Sequence, residues 1–248
     1  MTDYDPLEAP VIGTYQMQSV FCIEYCGQRG TAFAYHDEQG TYIVTAKHVI
    51  KNAAPGDRIG FRTTSETYLA TIKDIAFGAT HADVAVFSSD DLDIEGLIMI
   101  EGTPELHLGQ RLIFLGYPHG LASLTPSPNP IPSPLARSAF YSGVISYGDT
   151  EVIILDGFNN PGYSGGPIWA KSEDAYGPLL VGLISGYRRE VKEHSAVYRI
   201  EEGVEVPIDN TYSHANSGMI YAVPRSSIFK VASKLPSRNA PYASQRTK

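Results

Sequence analysis

The sequence predicts an all-β protein, and three observations carry that expectation. Short runs rich in β-branched and aromatic residues recur at fairly even spacing, each bounded by turn residues. No stretch between them sustains a 3.6-residue apolar period, so alternating strand–helix units are absent. The runs fall into six and six about Gly102-Thr103-Pro104, which fits a sandwich or a pair of barrels.

The first group is Ser19–Tyr25, Thr31–His36, Thr41–Ala46, Arg58–Arg62, Tyr68–Phe77 and Asp83–Ser88. The second is Gln110–Tyr117, Ala139–Tyr147, Glu151–Gly157, Gly166–Ala170, Leu179–Tyr187 and Gly218–Val223. Glu38-Gln39-Gly40 and Tyr147-Gly148-Asp149 read as hairpin turns. Helix is scarce: Lys47–Ala53 has room for one or two turns, and Ser226–Leu235 carries Ser226 or Ser227 as a cap and Pro236 as a stop. The chain is thus divided into an N-terminal extension (1–18), a first β unit (19–103), a second β unit with the C-terminal helix (104–235) and a flexible polar tail (236–248). Two segments exceed ordinary connections. Leu121–Arg137 has proline at 126, 128, 130, 132 and 134, a spacing that suits an extended loop and forbids a central strand. Arg188–Ser217 is polar, with room for a hairpin around Glu201-Glu202-Gly203, and long ordered loops are often functional.

Composition narrows the function classes. A net charge of −8, with basic residues only in isolated pairs such as Arg188-Arg189, argues against a nucleic-acid partner. No apolar run approaches the length of a spanning helix, so no membrane partner is expected. The acidic start, with Asp3, Asp5 and Glu8, lacks the basic and apolar regions of a secretory signal, and the chain reads as cytoplasmic. Cys22 and Cys26, if both lie on one extended strand, are about 13 Å apart, too far for a disulfide. They are also too few for a zinc site, so they read as reduced thiols, and no metal or cofactor is implied.

Three stretches carry chemistry. The apolar run Tyr42–Ala46 delivers His48 at its end, His81-Ala82-Asp83 places a carboxylate at the head of another strand, and Pro161–Pro167 holds Ser164 among glycines and prolines. A serine hydroxyl becomes a nucleophile only when a nearby base takes its proton, and histidine titrates in the right range. The histidine in turn needs a carboxylate on its other ring nitrogen to fix its tautomer. His48, Asp83 and Ser164 supply one of each. Gly162-Tyr163-Ser164-Gly165-Gly166 also fits the G-x-S-x-G elbow of α/β-hydrolase esterases. That fold requires a helix after the serine, whereas glycine and Pro167 follow here.

With those residues in place the sequence resembles the trypsin/chymotrypsin superfamily of serine peptidases, most closely the HtrA/Deg-type protease domains. The segments that carry the likeness are TAKHV (45–49), HADVAVF (81–87) and NNPGYSGGPI (159–168), supported by LGYPHGL (115–121), SGVIS (142–146), VGLIS (181–185) and GMIYAVP (218–224). The resemblance implies two six-stranded antiparallel β-barrels with a short C-terminal helix, the chymotrypsin-like double barrel. It implies Ser164 as nucleophile, His48 as base and then acid, Asp83 as the group orienting His48, and the N–H groups of Gly162 and Ser164 as an oxyanion hole. Ser185, Gly186 and Tyr187 match the segment that binds a polypeptide substrate as an added strand.

Two departures from the family pattern matter. Tyr163 stands where zymogen-type relatives have an aspartate, so activation by N-terminal cleavage is not expected. Phe158 stands at the base of the specificity pocket where trypsin has an acid, which favours a small or medium apolar P1 residue over a basic one. With few residues after Val231, no PDZ-like domain is expected. A protease in the cytoplasm is hazardous if always active. The two long loops and the missing aspartate therefore fit a site held closed until a regulatory protein partner binds. The non-enzymatic alternative, a silent protease-like binding module, is opposed by the complete triad. His81 is expected near the cleft and His119 at the rim of the second barrel, whereas His36, His107, His194 and His214 have no motif around them.

Overall fold

The computed structural model describes residues 7–37, 40–63, 66–92, 97–98, 104–124, 132–171, 177–201 and 204–236. Its N-terminal half contains a short helix α1 (Thr14–Gln18) and strands β1 (Val20–Tyr25), β2 (Gln28–Asp37), β3 (Gly40–Thr45), β4 (Arg58–Arg62), β5 (Thr67–Thr71), β6 (Asp74–Phe77), β7 (Ala85–Ser88) and β8 (Leu97–Ile98). The strands hydrogen-bond in the order β5-β4-β1-β2-β3-β7-β6, with β8 parallel to β2. The two ends of that path, β5 and β6, are consecutive in sequence and joined only through Ile72 and Lys73. The sheet must therefore curl until its edges nearly meet, although no ladder closes it among the described residues. The run expected as one strand, Tyr68–Phe77, is broken at that corner.

The C-terminal half contains β9 (Arg111–Gly116), a 3-10 turn at Pro118–Gly120, β10 (Ser123–Leu124), β11 (Pro132–Ser133), β12 (Leu135–Tyr147), β13 (Thr150–Asp156), β14 (Pro167–Ala170), β15 (Leu179–Glu201), β16 (Val204–Pro224) and α2 (Arg225–Ala232). Here β12-β13-β16-β15-β14-β9 form a closed barrel. Its inward-facing Leu112, Phe114, Leu155, Ile168, Ile184 and Ile220 are fully buried and make one apolar core. Of the proline-rich segment, residues 125–131 lie outside the description, and its ends pair as β10 and β11, Leu124 opposite Pro132. The proline sits in a two-stranded edge ladder, where its missing N–H is tolerated.

Three expectations about elements change. The expected helix Lys47–Ala53 is a series of turns, held by Val49 N–H to the Ala46 carbonyl and Ala53 N–H to the Ile50 carbonyl. The long polar segment Arg188–Ser217 is not a loop with a local hairpin but the outer part of β15 and β16, and the hairpin expected around Glu201-Glu202-Gly203 is their end, with Glu201 opposite Val204. The C-terminal helix has Pro224 at its cap and starts at Arg225, two or three residues earlier than a Ser226 or Ser227 cap indicates. It packs against β7 of the N-terminal half and β15 of the C-terminal half: Ile228, Val231 and Ala232 join the larger apolar core, to which both halves contribute, and Phe229 meets Tyr35 at 5.4 Å. Burial of Ile228 alone contributes about 2 kcal/mol to holding the halves together.

The two cysteines are free. Cys26 falls in the β1–β2 turn with φ +48° and is exposed, whereas Cys22 is buried on β1. Burial pushes the Cys22 thiol up, opposed by the Arg62 guanidinium beside it. No helix among the described residues is long and apolar enough to cross a membrane. Among the described residues there is no strand–helix alternation, and the element directly after Ser164 is strand β14, so the α/β-hydrolase esterase reading is set aside. The tail expected over 236–248 falls almost wholly outside the described residues.

Candidate active site

His48 and Asp83 meet because of strand register. β3 runs antiparallel to β7 with Thr45 opposite Ala85, so residues just past the end of β3 lie beside those just before β7. His48 Nδ1 sits 2.7 Å from Asp83 Oδ2, and the His48 main-chain N–H donates to Asp83 Oδ1 at 2.9 Å. Asp83 thus holds ring and backbone of the same residue, which fixes the imidazole plane and leaves Nε2 directed away from the carboxylate. The His48 side chain is 43% exposed and Asp83 26%, so the ring faces solvent while its partner is half-sheltered.

A third donor reaches Asp83 from the other half of the molecule. Ser185, at a bulge of β15, donates from Oγ to Asp83 Oδ2 at 2.7 Å. Burial alone would raise the Asp83 pKa. Hydrogen bonds from the His48 ring, Ser185 Oγ and the His48 N–H outweigh it and hold the carboxyl below the usual carboxylate range. Asp83 is therefore a carboxylate at any pH near neutrality. The sequence placed Ser185 in the substrate strand; its grip on Asp83 spans 102 residues and has no local signature.

Ser164 lies on the loop between β13 and β14, and the loop is pinned to both halves. Thr31 N–H on β2 donates to the Ser164 carbonyl at 2.8 Å, Gly165 N–H to the Ile184 carbonyl at 2.7 Å, and Ile184 N–H to the Gly166 carbonyl at 2.8 Å. Gly165 has φ +87°, and a Cβ there would collide with the Thr31 carbonyl and the Thr45 hydroxyl. Only glycine fits that crossing point. Ser164 Oγ donates to the Ser185 carbonyl at 3.2 Å. Among the described residues it makes no hydrogen bond to His48. The main-chain N–H groups of Gly162 and Ser164 have no acceptor among the described residues.

The remaining expected residues are placed as follows. Tyr163 is buried and packs edge-on against Phe114, ring centroids 4.9 Å apart, so this side chain belongs to the core of the second barrel. Phe158 is 63% exposed, and its carbonyl accepts from Arg137 Nη1 at 2.9 Å. Together with Ala136, Arg137, Phe140 and Asp156 it lines an open cavity of about 460 Å³, to which His48, Asp83 and Ser164 do not contribute. Gly186 and Tyr187 continue β15 from Ser185, paired on one side with Tyr221 and Ile220 of β16. His81 stacks on Tyr147 of β12 at 5.4 Å, bridging the halves beside Asp83. The His119 N–H donates to the Pro161 carbonyl at 2.8 Å, a support for the serine loop that sequence reasoning did not anticipate.

Comparison with known proteins agrees with this geometry. The trypsin-like peptidase domain matches residues 30–177, more than half of the chain. Among solved structures, the chain is similar to an inactive form of Rv3671c from Mycobacterium tuberculosis carrying a serine-to-alanine mutation. That likeness has 15% identity and a TM-score of 0.56, over 88% of this chain and 87% of the other. A second inactive form of the Rv3671c protease gives 16% identity and a TM-score of 0.57 over 93% and 98%. The serine endoprotease from Yersinia pestis gives 19% identity and a TM-score of 0.55 over 90% and 67%. No curated protein sequence matches. The structural likenesses speak to the double-barrel fold, while the domain match spans His48, Asp83 and Ser164; the chain belongs to the trypsin-like peptidase domain family and is a trypsin-like serine protease.

Proposed function

We propose that the chain is a serine endopeptidase in which Ser164 attacks the scissile carbonyl, His48 takes the hydroxyl proton and gives it to the departing amine, and Asp83 orients His48. Water then hydrolyses the acyl-enzyme on Ser164 with His48 again as base. The single observation that carries this reading is the double hold of Asp83 on His48, at 2.7 and 2.9 Å, in the cleft where the opposite half presents Ser164. The unengaged N–H groups of Gly162 and Ser164 serve as the oxyanion hole. Substrate lies as an added strand along Ser185, Gly186 and Tyr187.

The hydrogen bond from Ser164 Oγ to the Ser185 carbonyl supports a gated resting state. An extended polypeptide on this edge offers its own N–H to that carbonyl, and the hydroxyl is then free to turn towards His48. A regulatory protein partner acting on the β15–β16 hairpin controls the same exchange. The polypeptide substrate is proposed to carry a small or medium apolar P1 residue, since Phe158 offers no charge to a lysine or arginine.

Two measurements test the proposal. A fluorophosphonate is expected to label the protein at one site, identified as Ser164 by peptide mass spectrometry; labelling that persists in Ser164→Ala refutes the assignment, and absence of labelling with or without peptide favours the silent binding module. In a P1-varied peptide library, cleavage is expected after small and medium apolar residues. Cleavage confined to arginine and lysine would discard the role given to Phe158.

A further inference from the structure

We propose that Thr31 is a positioning residue for the oxyanion loop, acting from the N-terminal sheet on the peptide groups that flank Gly162 and Ser164. This inference rests on the triad reading above and concerns what holds its oxyanion donors ready.

Thr31 is completely buried on β2, 0% exposed, and a hydroxyl so placed is costly unless its hydrogen bonds are made. Both roles of the hydroxyl are filled. Oγ1 accepts the Tyr117 N–H at 3.1 Å, and its one proton goes to the Gly162 carbonyl at 2.6 Å. The main-chain N–H of the same residue takes the Ser164 carbonyl at 2.8 Å.

The carbonyls of the loop are thereby fixed in succession. Pro161 accepts from His119 N–H, Gly162 from the Thr31 hydroxyl, Tyr163 from Gly166 N–H and Ser164 from Thr31 N–H. No peptide bond in the described chain is cis, and in a trans peptide the N–H points opposite to the carbonyl of the same plane. The bonded carbonyls of Pro161 and Tyr163 therefore aim the N–H groups of Gly162 and Ser164 to the opposite side, where neither has an acceptor among the described residues. Gly162 is the weak link. It has φ +105° and, as glycine, access to several backbone conformations, so the planes on either side of it rotate readily unless both are tied. The Tyr117–His119 segment ties the plane before Gly162, and Thr31 makes the shorter tie of the plane after it, at 2.6 Å against 3.2 Å for the Tyr163 N–H on the Asn160 carbonyl. The Tyr117–His119 segment is pressed so closely on Gly162 that a Cβ there would strike the Tyr117 carbonyl.

A loose oxyanion loop binds substrate as well as before and stabilises the transition state less. Thr31→Val keeps the shape and removes the hydroxyl; Thr31→Ser keeps the hydroxyl. Thr31→Val is expected to lower kcat about 10- to 100-fold with KM within about twofold of wild type. Affinity for a peptide aldehyde, whose hemiacetal oxygen occupies the oxyanion hole, should fall in proportion to kcat/KM. Thr31→Ser should stay within about threefold of wild type. Should thermal unfolding reveal that Thr31→Val is not folded, Thr31→Ala carries the same comparison with Thr31→Ser. Wild-type kcat in the hydroxyl-free variant, a loss confined to KM, unchanged aldehyde affinity, or an equal fall in Thr31→Ser would each overturn the proposal. A wild-type protein that fluorophosphonate does not label removes the triad reading as well; a labelled wild type matched by Thr31→Val removes only the role of Thr31.

Discussion

Ser164→Ala is expected to lower peptide turnover on the order of 10⁶-fold, and His48→Ala should fall to the same floor. The reason is that neither group does chemistry alone. A hydroxyl without its base is a poor nucleophile, and a base without the hydroxyl has nothing to activate except water. The double variant Ser164→Ala/His48→Ala should therefore be no slower than either single one, and a residual rate above background should survive from the main-chain N–H groups at positions 162 and 164 and the substrate strand. KM should change little, because Ser185–Tyr187 and the specificity pocket are untouched. The measurement is kcat and KM on one peptide for the four proteins, each purified identically. Losses that differ between the two single variants and multiply in the double one would mean that Ser164 and His48 act independently.

Much of this site is legible in the sequence because its chemistry sits at the ends of apolar strands. Thr45 and Ala85 pair in β3 and β7, and the residues just beyond that pair are His48 and Asp83. Glycine and proline around Ser164 mark a constrained loop for the same local reason. What stays hidden depends on long-range contact. Ser185 reaching Asp83, Thr31 reaching Gly162 and His119 reaching Pro161 join residues far apart in the chain. Nothing in the local pattern of Gly30-Thr31-Ala32 separates this threonine from any other at a strand position.

The hairpin around Glu201-Glu202-Gly203 is legible, but the length of its two strands, β15 and β16, is hidden for a different reason. Their ladder slips between Arg189 and His194 and again between Ala196 and Tyr198. A register that shifts in this way breaks the alternation by which a strand is recognised. The segment is also polar in sequence, so no apolar alternation marks a period in it. The split of Tyr68–Phe77 fails similarly: composition stays strand-like through Ile72 and Lys73 while the backbone turns the corner that curls the first sheet.

Asp83→Asn is expected to lower kcat/KM by about 10⁴. The amide has the carboxylate's shape, but it places an NH₂ group where Asp83 accepts three donors. Turning its oxygen to the Nδ1–H of His48 sets its nitrogen against the His48 main-chain N–H, which donates to Oδ1 at 2.9 Å. Turning its nitrogen to Nδ1 keeps the main-chain bond and selects the tautomer with the proton on Nε2, which cannot accept from Ser164. Ser185 loses its charged acceptor in either case. Stability should follow pH with a definite sign. The Asp83 carboxyl is held below its ordinary value: burial opposes ionisation, and donation from His48 and Ser185 outweighs it. A group depressed in this way stabilises the fold above its unfolded pKa of about 3.9 and loses that contribution as pH falls through the lower folded value. Wild type should therefore melt above Asp83→Asn at neutral pH, and the gap should narrow once the pH passes below about 4. Thermal unfolding of the two proteins across that range measures it. A gap that widens steadily into acid would show that the carboxylate is not what holds His48 in the cleft.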